Sequence, residues 1–187
     1  LEERLQHGAL ALSFIVLVFT GFQLRFPDSW WAGGFRDVVG SVVNYRSLVH
    51  RIAAVVMTLA SLYHLYYIVF TARGRQLVKD LWFRLKDARD LVGMLRYNLG
   101  LTPVKPKLDR FSYIEKAEYW ALIWGTIVMA GTGGAMWLDN SFMNVFGKLG
   151  YDVARSIHYY EAILATLAII VWHFYFVIFN PDSYPLN

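Results

Sequence analysis

Five histidines lie along a chain that contains no cysteine, and four of them form two widely spaced pairs. His50 and His64 are 14 residues apart, and His158 and His173 are 15 residues apart. On a helix, at about 100° and 1.5 Å per residue, both members of a pair would face broadly one side, roughly 21–23 Å apart. Neutral imidazole is a common metal ligand, so such pairs could hold metal centres at two heights. The fifth histidine, His7, opens the first apolar segment.

The composition of the chain indicates a membrane protein. Hydrophobic residues make up 57% of the 187 residues and charged residues 17%, whereas about a quarter of a typical soluble domain is charged. The absence of cysteine excludes disulfides, iron–sulfur ligation, thiolate-ligated haem and covalent haem attachment through a CxxCH motif. We expect no signal peptide, because Glu2, Glu3 and Arg4 lead directly into a segment long enough to span a membrane.

Four apolar segments are each long enough to cross a bilayer, which takes about 20 residues. Because a helix satisfies its own backbone hydrogen bonds, helices are the expected form of these segments in lipid. The sequence therefore predicts an all-α integral membrane fold, a four-transmembrane-helix up-and-down bundle forming one domain over residues 1–187. The predicted transmembrane helices cover about 4–26, 46–71, 113–138 and 153–179.

The long polar segment between the second and third apolar runs has a periodicity of its own. Apolar residues recur there at helical spacing, and basic residues fill other positions: Leu77, Leu81, Leu85, Ala88, Val92 and Leu95, with Lys79, Arg84, Lys86, Arg89 and Arg96. This pattern predicts an amphipathic helix over about 76–97 that lies in the headgroup region and contacts membrane lipid. The alternative is a solvated helix packed on a partner subunit.

Lysine and arginine indicate how the bundle is oriented. The first connecting loop holds Arg36 and Arg46, and the third holds only Lys148 before Arg155. The segment 72–112 is far more basic, with Arg73, Arg75, Lys79, Arg84, Lys86, Arg89, Arg96, Lys105, Lys107 and Arg110. The positive-inside rule therefore puts this segment and both termini in the cytoplasm. The net charge of +4 reflects this topology, and no nucleic-acid partner is expected.

With that topology, the histidines fall at two depths. His50 and His158 lie near the outer face, whereas His173 lies near the inner face with either His7 or His64. Two neutral imidazoles give a low-spin, six-coordinate haem iron, so the pattern predicts two haem b groups stacked across the membrane. Zinc would require a tighter cluster. The alternative for each histidine is a hydrogen-bonded residue of the bundle core.

Small and basic residues near these histidines fit the same hypothesis. Arg51 and Arg155 could pair with haem propionates at the outer face, or could reach lipid headgroups. Glycines in or near the first and third helices would let a flat macrocycle approach, or would serve helix packing alone. These glycines are Gly21, Gly125, Gly131, Gly133 and Gly134.

At these residues the chain resembles the dihaem cytochrome b subunits of membrane-bound formate dehydrogenases and nickel–iron hydrogenases. The similar motifs are Arg4-Leu5-Gln6-His7, Thr20-Gly21, Leu48-Val49-His50-Arg51, Glu115-Lys116, Tyr119-Trp120, Thr132-Gly133, Ile157-His158 and Trp172-His173-Phe174-Tyr175. Two features differ. The fourth-helix histidines are one residue farther apart than is usual, and His64 is additional. The spacing between His50 and His64 is similar to that in the cytochrome b of respiratory bc complexes. If this chain followed that arrangement, His64 would pair with His173.

The resemblance implies the pairing of the ligands and the place of a second redox partner. His7 would pair with His173 around the inner haem, and His50 with His158 around the outer haem. A quinone, either menaquinone or ubiquinone, would react beside the inner haem. The residues implied for the quinone are Ser112, Tyr113 and Glu115, with His64 as a further quinone candidate if it is not a haem ligand.

The resemblance also implies the setting of the protein. It would be a multi-pass subunit of a multi-subunit respiratory-chain oxidoreductase complex in the bacterial inner membrane. An extracytoplasmic iron–sulfur or multihaem c-type subunit would dock on the loops Trp30-Trp31-Ala32-Gly33-Gly34 and Asp139 to Tyr151. The subunit would carry electrons between that partner and the quinone, and it has no other substrate-converting site of its own. The alternatives are a histidine-lined membrane transporter and a haem-free membrane anchor.

Overall fold

The computed structural model describes residues 2–32 and 45–180, and the described part of the chain is helical apart from its connections. Its long helices form two antiparallel hairpins. In the first, α1 (Glu2–Arg25) packs along α2 (Tyr45–Phe70). In the second, α5 (Tyr113–Trp137) packs along α6 (Asp139–Leu167). The all-helical fold is thus confirmed over the described residues.

The side chains of the long helices are arranged as in a bundle surrounded by lipid. The buried residues of α1 are polar and include Gln6, Ser13 and Thr20, which are spaced seven apart and so share one face. Large apolar side chains such as Leu12 and Ile15 are exposed on the same helix. Water would favour the reverse arrangement, whereas lipid accommodates apolar side chains on the outside.

Within residues 2–32 and 45–180, three helices are long and apolar enough to cross a membrane: α1, α2 and the continuous helix Asp139–Phe179. The remaining long helix, α5, has 25 residues, a sufficient length at about 1.5 Å per residue. Its apolar stretch contains several tryptophan, threonine and glycine residues, and α5 is not among the three candidate spans. A fourth crossing by α5 therefore belongs to the proposal made below.

The fourth helix is irregular in two places. Residues 139–153 were expected to form a loop, but α6 begins at Asp139 and bends at Gly147, whose φ of 69° suits glycine. Helical structure thus starts earlier than the predicted start near residue 153, which lies in the part of α6 that follows the bend. Beyond Leu167 the helix continues in π-helical form over Ala168–His173 and Tyr175–Phe179.

The segment between the hairpins forms two helices, not the single helix predicted over about 76–97. These are α3 (Ala72–Asp80) and α4 (Leu85–Asn98). The chain breaks between them because the Asp87 carboxylate accepts a hydrogen bond from the Arg84 backbone N–H at 2.6 Å and so caps a new helix start. Trp120 fixes the break by donating its indole N–H to the Leu81 carbonyl at 3.0 Å.

A buried ion pair attaches α4 to the start of α5. Lys116 Nζ lies 2.8 Å from both carboxylate oxygens of Asp87. The two side chains are only 2% and 6% exposed. Charged groups are rarely so buried unless they are paired, so this contact sets the position of the amphipathic segment on the bundle.

Candidate functional site

His50 of α2 and His158 of α6 face each other between the two hairpins. Their ring centroids are 6.4 Å apart, with the ring planes inclined at 66°. A metal bound by imidazole lies about 2 Å from the nitrogen and roughly 3 Å from the ring centre. Two rings on opposite sides of one metal ion are then about 6 Å apart. The separation observed suits a pair of axial ligands.

A second pair lies toward the other end of the bundle. The ring centroids of His7 and His173 are also 6.4 Å apart, and the ring planes are inclined at 38°. The structure therefore brings together the two pairs that the family resemblance implies. One member of each pair comes from the first hairpin and the other from the fourth helix.

His64 faces other partners. Its Nδ1 lies 2.6 Å from Gln6 Oε1, and its Nε2 lies 3.1 Å from the Tyr119 hydroxyl. The amide oxygen can only accept, so Nδ1–H donates to it and Nε2 accepts from the tyrosine O–H. Both ring nitrogens are thereby used, and this geometry favours His7 as the histidine opposite His173.

Threonine hydroxyls orient His50 and His158. Thr20 Oγ1 lies 2.9 Å from His50 Nδ1, and Thr132 Oγ1 lies 2.9 Å from His158 Nδ1. Each hydroxyl also donates to the backbone carbonyl four residues earlier, at 2.6 Å for Thr20 and 2.7 Å for Thr132. Because a hydroxyl has one proton, it must accept from the imidazole. Nδ1 is therefore the protonated nitrogen, and Nε2 keeps the lone pair that binds a metal.

The glycine after each threonine allows the histidine to approach. A Cβ atom on Gly21 would lie 3.3 Å from His50 Cε1, and one on Gly133 would lie 3.3 Å from His158 Cε1. The same Thr-Gly arrangement therefore occurs in both hairpins, and in each it faces the histidine of the following helix. Side chains at these glycines would push the imidazoles away from their present positions.

The other glycines singled out from the sequence have different surroundings. Gly125 faces the Glu161 carboxylate, whose Oε1 would lie 2.9 Å from an added Cβ. A Cβ on Gly131 or Gly134 would meet nothing within 4 Å. Glu161 is the one acidic residue in the apolar stretch 157–179, and Gly125 provides the space for it.

A π-helical segment turns His173 toward the helix face that carries His158. With regular α-helical geometry, 15 steps would carry His173 about 60° beyond the face of His158. His173 ends the π-helical segment Ala168–His173, in which each turn holds roughly one residue more than an α-helical turn. The wider turn absorbs the additional residue between the two histidines and turns His173 back toward that face.

His173 has a carboxylate partner. Its Nδ1 lies 3.3 Å from Glu118 Oε2. A carboxylate thus takes the place that a threonine hydroxyl has at His50 and His158. The sequence pattern assigned no role to Glu118 or to the Tyr119 hydroxyl. The spacing of Gln6, Ser13 and Thr20 would have pointed to a polar inner face of α1.

The residues implied for quinone binding have structural partners. Ser112 caps α5, where its hydroxyl accepts from the Ile114 N–H at 3.2 Å. Glu115 Oε2 accepts from the Ser112 N–H at 2.9 Å and also contacts the Ser112 hydroxyl. Together these contacts form a capping box. Tyr113 is the first residue of this helix.

The arginines proposed for propionates lie on the second and fourth helices. The Arg51 guanidinium lies 5.2 Å from the centre of the Trp137 ring, a cation–π contact between the hairpins. Arg155 is exposed. Of the first loop implied for a partner, Trp30 is 89% exposed and Trp31 packs on Phe19, while Gly33 and Gly34 lie outside the described residues.

The donor set fits haem better than a bare metal ion. Over residues 2–32 and 45–180, no group of three or more histidine, cysteine, aspartate or glutamate side chains could hold a metal ion. Haem iron needs only two axial ligands from the protein, because the porphyrin supplies the other four. The two histidine pairs match that requirement, and at His50 and His158 a threonine hydroxyl and a facing glycine accompany each ring.

Removal of one threonine hydroxyl should weaken haem binding between His50 and His158. A Thr132→Val variant keeps the side-chain shape but leaves the His158 Nδ1–H without its acceptor. Loss of such a partner typically costs 10–100-fold in metal affinity, so we expect a haem affinity lower by about that factor at one of two sites. Haem titration of the apoprotein measures it.

Thr58→Val is the matched control, because Thr58 also donates to the carbonyl four residues earlier but is exposed on α2. Equal haem affinity in the Thr132 and Thr58 variants would show that the hydroxyl does not orient the ligand.

Comparison with known families identifies one match. Residues 2–183 match the family described as prokaryotic cytochrome b561. No curated protein and no solved structure matches the chain significantly.

Proposed function

The chain belongs to the prokaryotic cytochrome b561 family, and on this premise we propose that it is a dihaem electron-transfer subunit linking an extracytoplasmic redox partner to the quinone pool. Family membership makes it a bacterial membrane cytochrome of the b type, which binds haem b and transfers electrons. The proposal adds the number of haems, their ligands, the quinone and the partner.

The observation that carries the proposal is the equal spacing of two imidazole pairs. His50 with His158, and His7 with His173, have ring centroids 6.4 Å apart. When bound, haem supplies a one-electron iron couple. Each pair of histidines would hold one haem through its two imidazoles, and the haem would supply electron transfer.

The positions of the two pairs support transfer across the membrane. Along the fourth helix, His158 and His173 are 15 residues apart, roughly 22 Å at an α-helical rise. We propose that all four long helices cross the membrane, with the basic segment 72–112 and both termini on the cytoplasmic side. His50 and His158 would then lie near the outer face, and His7 and His173 near the inner face.

The two redox partners would meet opposite ends of the bundle. A quinone beside the inner pair would contact the start of α5, near Ser112, Tyr113 and Glu115. His64 would take part there through its hydrogen bond with Tyr119. An iron–sulfur or multihaem c-type subunit would dock at the outer end, where Trp30 and the first part of α6 are exposed.

Haem stoichiometry tests the proposal. The purified protein should contain two haems b per chain in a pyridine-haemochrome assay, and membranes that contain its redox partner should reduce or oxidise quinone. A folded protein without colour would overturn the proposal and favour a transporter or an anchor. A single haem per chain would refute the two-site arrangement.

A further inference from the structure

We propose that Glu118 is a positioning residue that acts through His173 and lowers the reduction potential of the inner haem. This inference rests on the proposed function, because it assigns a role to a residue beside one of the proposed ligands. It concerns a property of one haem only, so it can fail while the dihaem proposal stands.

The geometry gives Glu118 a specific contact with His173. Its Oε2 lies 3.3 Å from His173 Nδ1, and the two side chains are 26% and 29% exposed. Its other oxygen, Oε1, is buried and has no hydrogen-bond partner among the described residues. Buried carboxylate oxygens are normally satisfied by several donors. The imidazole N–H is therefore the principal partner of this carboxylate in the described structure.

The inner and outer pairs differ in the chemistry of that contact. His50 and His158 donate to the neutral hydroxyls of Thr20 and Thr132, each at 2.9 Å. His173 donates to a carboxylate. A carboxylate partner draws the proton from Nδ1 and makes the other ring nitrogen a more basic ligand. It also brings a negative charge close to the iron.

Both effects favour ferric over ferrous iron at the inner haem. A more basic ligand donates more electron density, and a nearby negative charge stabilises the oxidised state that carries one more positive charge. Hydrogen bonding around the ligands is one of the means by which a protein tunes haem potentials. Among the histidine contacts of the described residues, a carboxylate therefore tunes His173, whereas His50 and His158 have neutral hydroxyl partners.

The test is a redox titration of Glu118→Gln, which keeps the side-chain size but replaces the carboxylate by a neutral amide. Both haems are followed by their visible absorption in the purified protein. We expect one midpoint to rise by at least 59 mV, which is a tenfold change in the ratio of reduced to oxidised haem. The other midpoint should stay unchanged. In a His50→Ala background, which removes the outer haem, the haem that remains should show the same shift.

Asp109→Asn is the control. Asp109 is a carboxylate that is 50% exposed and pairs with Lys86 at 2.6 Å, so its replacement should leave both midpoints unchanged. Two haems with unchanged potentials in Glu118→Gln would overturn the role of Glu118 alone. A wild-type protein without haem would overturn the proposed function and this inference together.

A conservative variant separates charge from packing if Glu118→Gln loses the inner haem. Glu118→Asp keeps the negative charge on a shorter side chain. Retention of both haems with potentials near the wild-type values supports the proposal. Loss of the inner haem from both variants would mean that Glu118 serves packing, and the proposal would be wrong.

Discussion

A His50→Ala variant is expected to carry one haem per chain, compared with the two proposed for the wild-type protein. His50 and His158 would grip one iron from opposite sides, and a haem b has no covalent attachment to retain it. Removal of one axial ligand therefore costs most of the binding energy at that level. The inner pair, His7 and His173, is untouched, so the remaining haem should keep its low-spin spectrum. Pyridine-haemochrome stoichiometry measures the loss.

The control for this experiment is His64→Ala, which removes a histidine from the same helix. Both ring nitrogens of His64 are engaged by Gln6 and Tyr119, so we expect this variant to keep two haems. The complementary His7→Ala variant should lose the inner haem. Loss of a haem from His64→Ala, with two retained in His7→Ala, would refute the pairing of His7 with His173.

Replacement of Lys116 by methionine is expected to destabilise the protein more than any surface substitution. The variant would leave the Asp87 carboxylate buried without its partner, and breaking a buried ion pair from one side typically costs about 3–5 kcal/mol. The measurement is the free energy of unfolding, or the midpoint temperature, of the purified protein in detergent. α4 should also become more accessible to protease, because the ion pair attaches it to α5.

Two further variants identify the cause. Lys86→Met removes a lysine that is 44% exposed and pairs with Asp109 at 2.6 Å. It should cost far less than Lys116→Met, because exposed ion pairs contribute little to stability. Adding Asp87→Asn to Lys116→Met should restore much of the stability. Asparagine removes the unpaired charge and can still accept the Arg84 N–H. No recovery in the double variant would show that the loss has another cause.

The sequence predicted the long helices well because their signal is local. A run of about 20 apolar residues is enough to define such a helix, and α1, α2 and α5 lie within about two residues of the predicted bounds. The amphipathic segment was harder. Its apolar periodicity continues through Leu81 and Leu85, but the break comes from the Asp87 cap and the contact of Trp120 with the Leu81 carbonyl. The Trp120 contact joins residues that are 39 positions apart, so a local pattern does not reveal it.

The candidate site was also predictable only in part. The spacing of the histidines and their expected depths pointed to two levels, since helix geometry converts residue number into height. The choice between His7 and His64 required the positions of Gln6 and Tyr119, which belong to two other helices. Glu118 was missed for the same reason. A carboxylate near the start of a helix is ordinarily solvated. Only the contact with His173 distinguishes Glu118 from such a residue.

The distribution of the proposed ligands has a consequence for biogenesis. The first hairpin supplies His7 and His50, whereas His158 and His173 both lie on the fourth helix. Neither haem site can therefore be complete until the ribosome has synthesised the fourth helix and the translocon has released it into the membrane. Chains truncated before the fourth helix would bind no haem at either level. Quality-control proteases would recognise them by the polar residues that the fourth helix leaves uncovered.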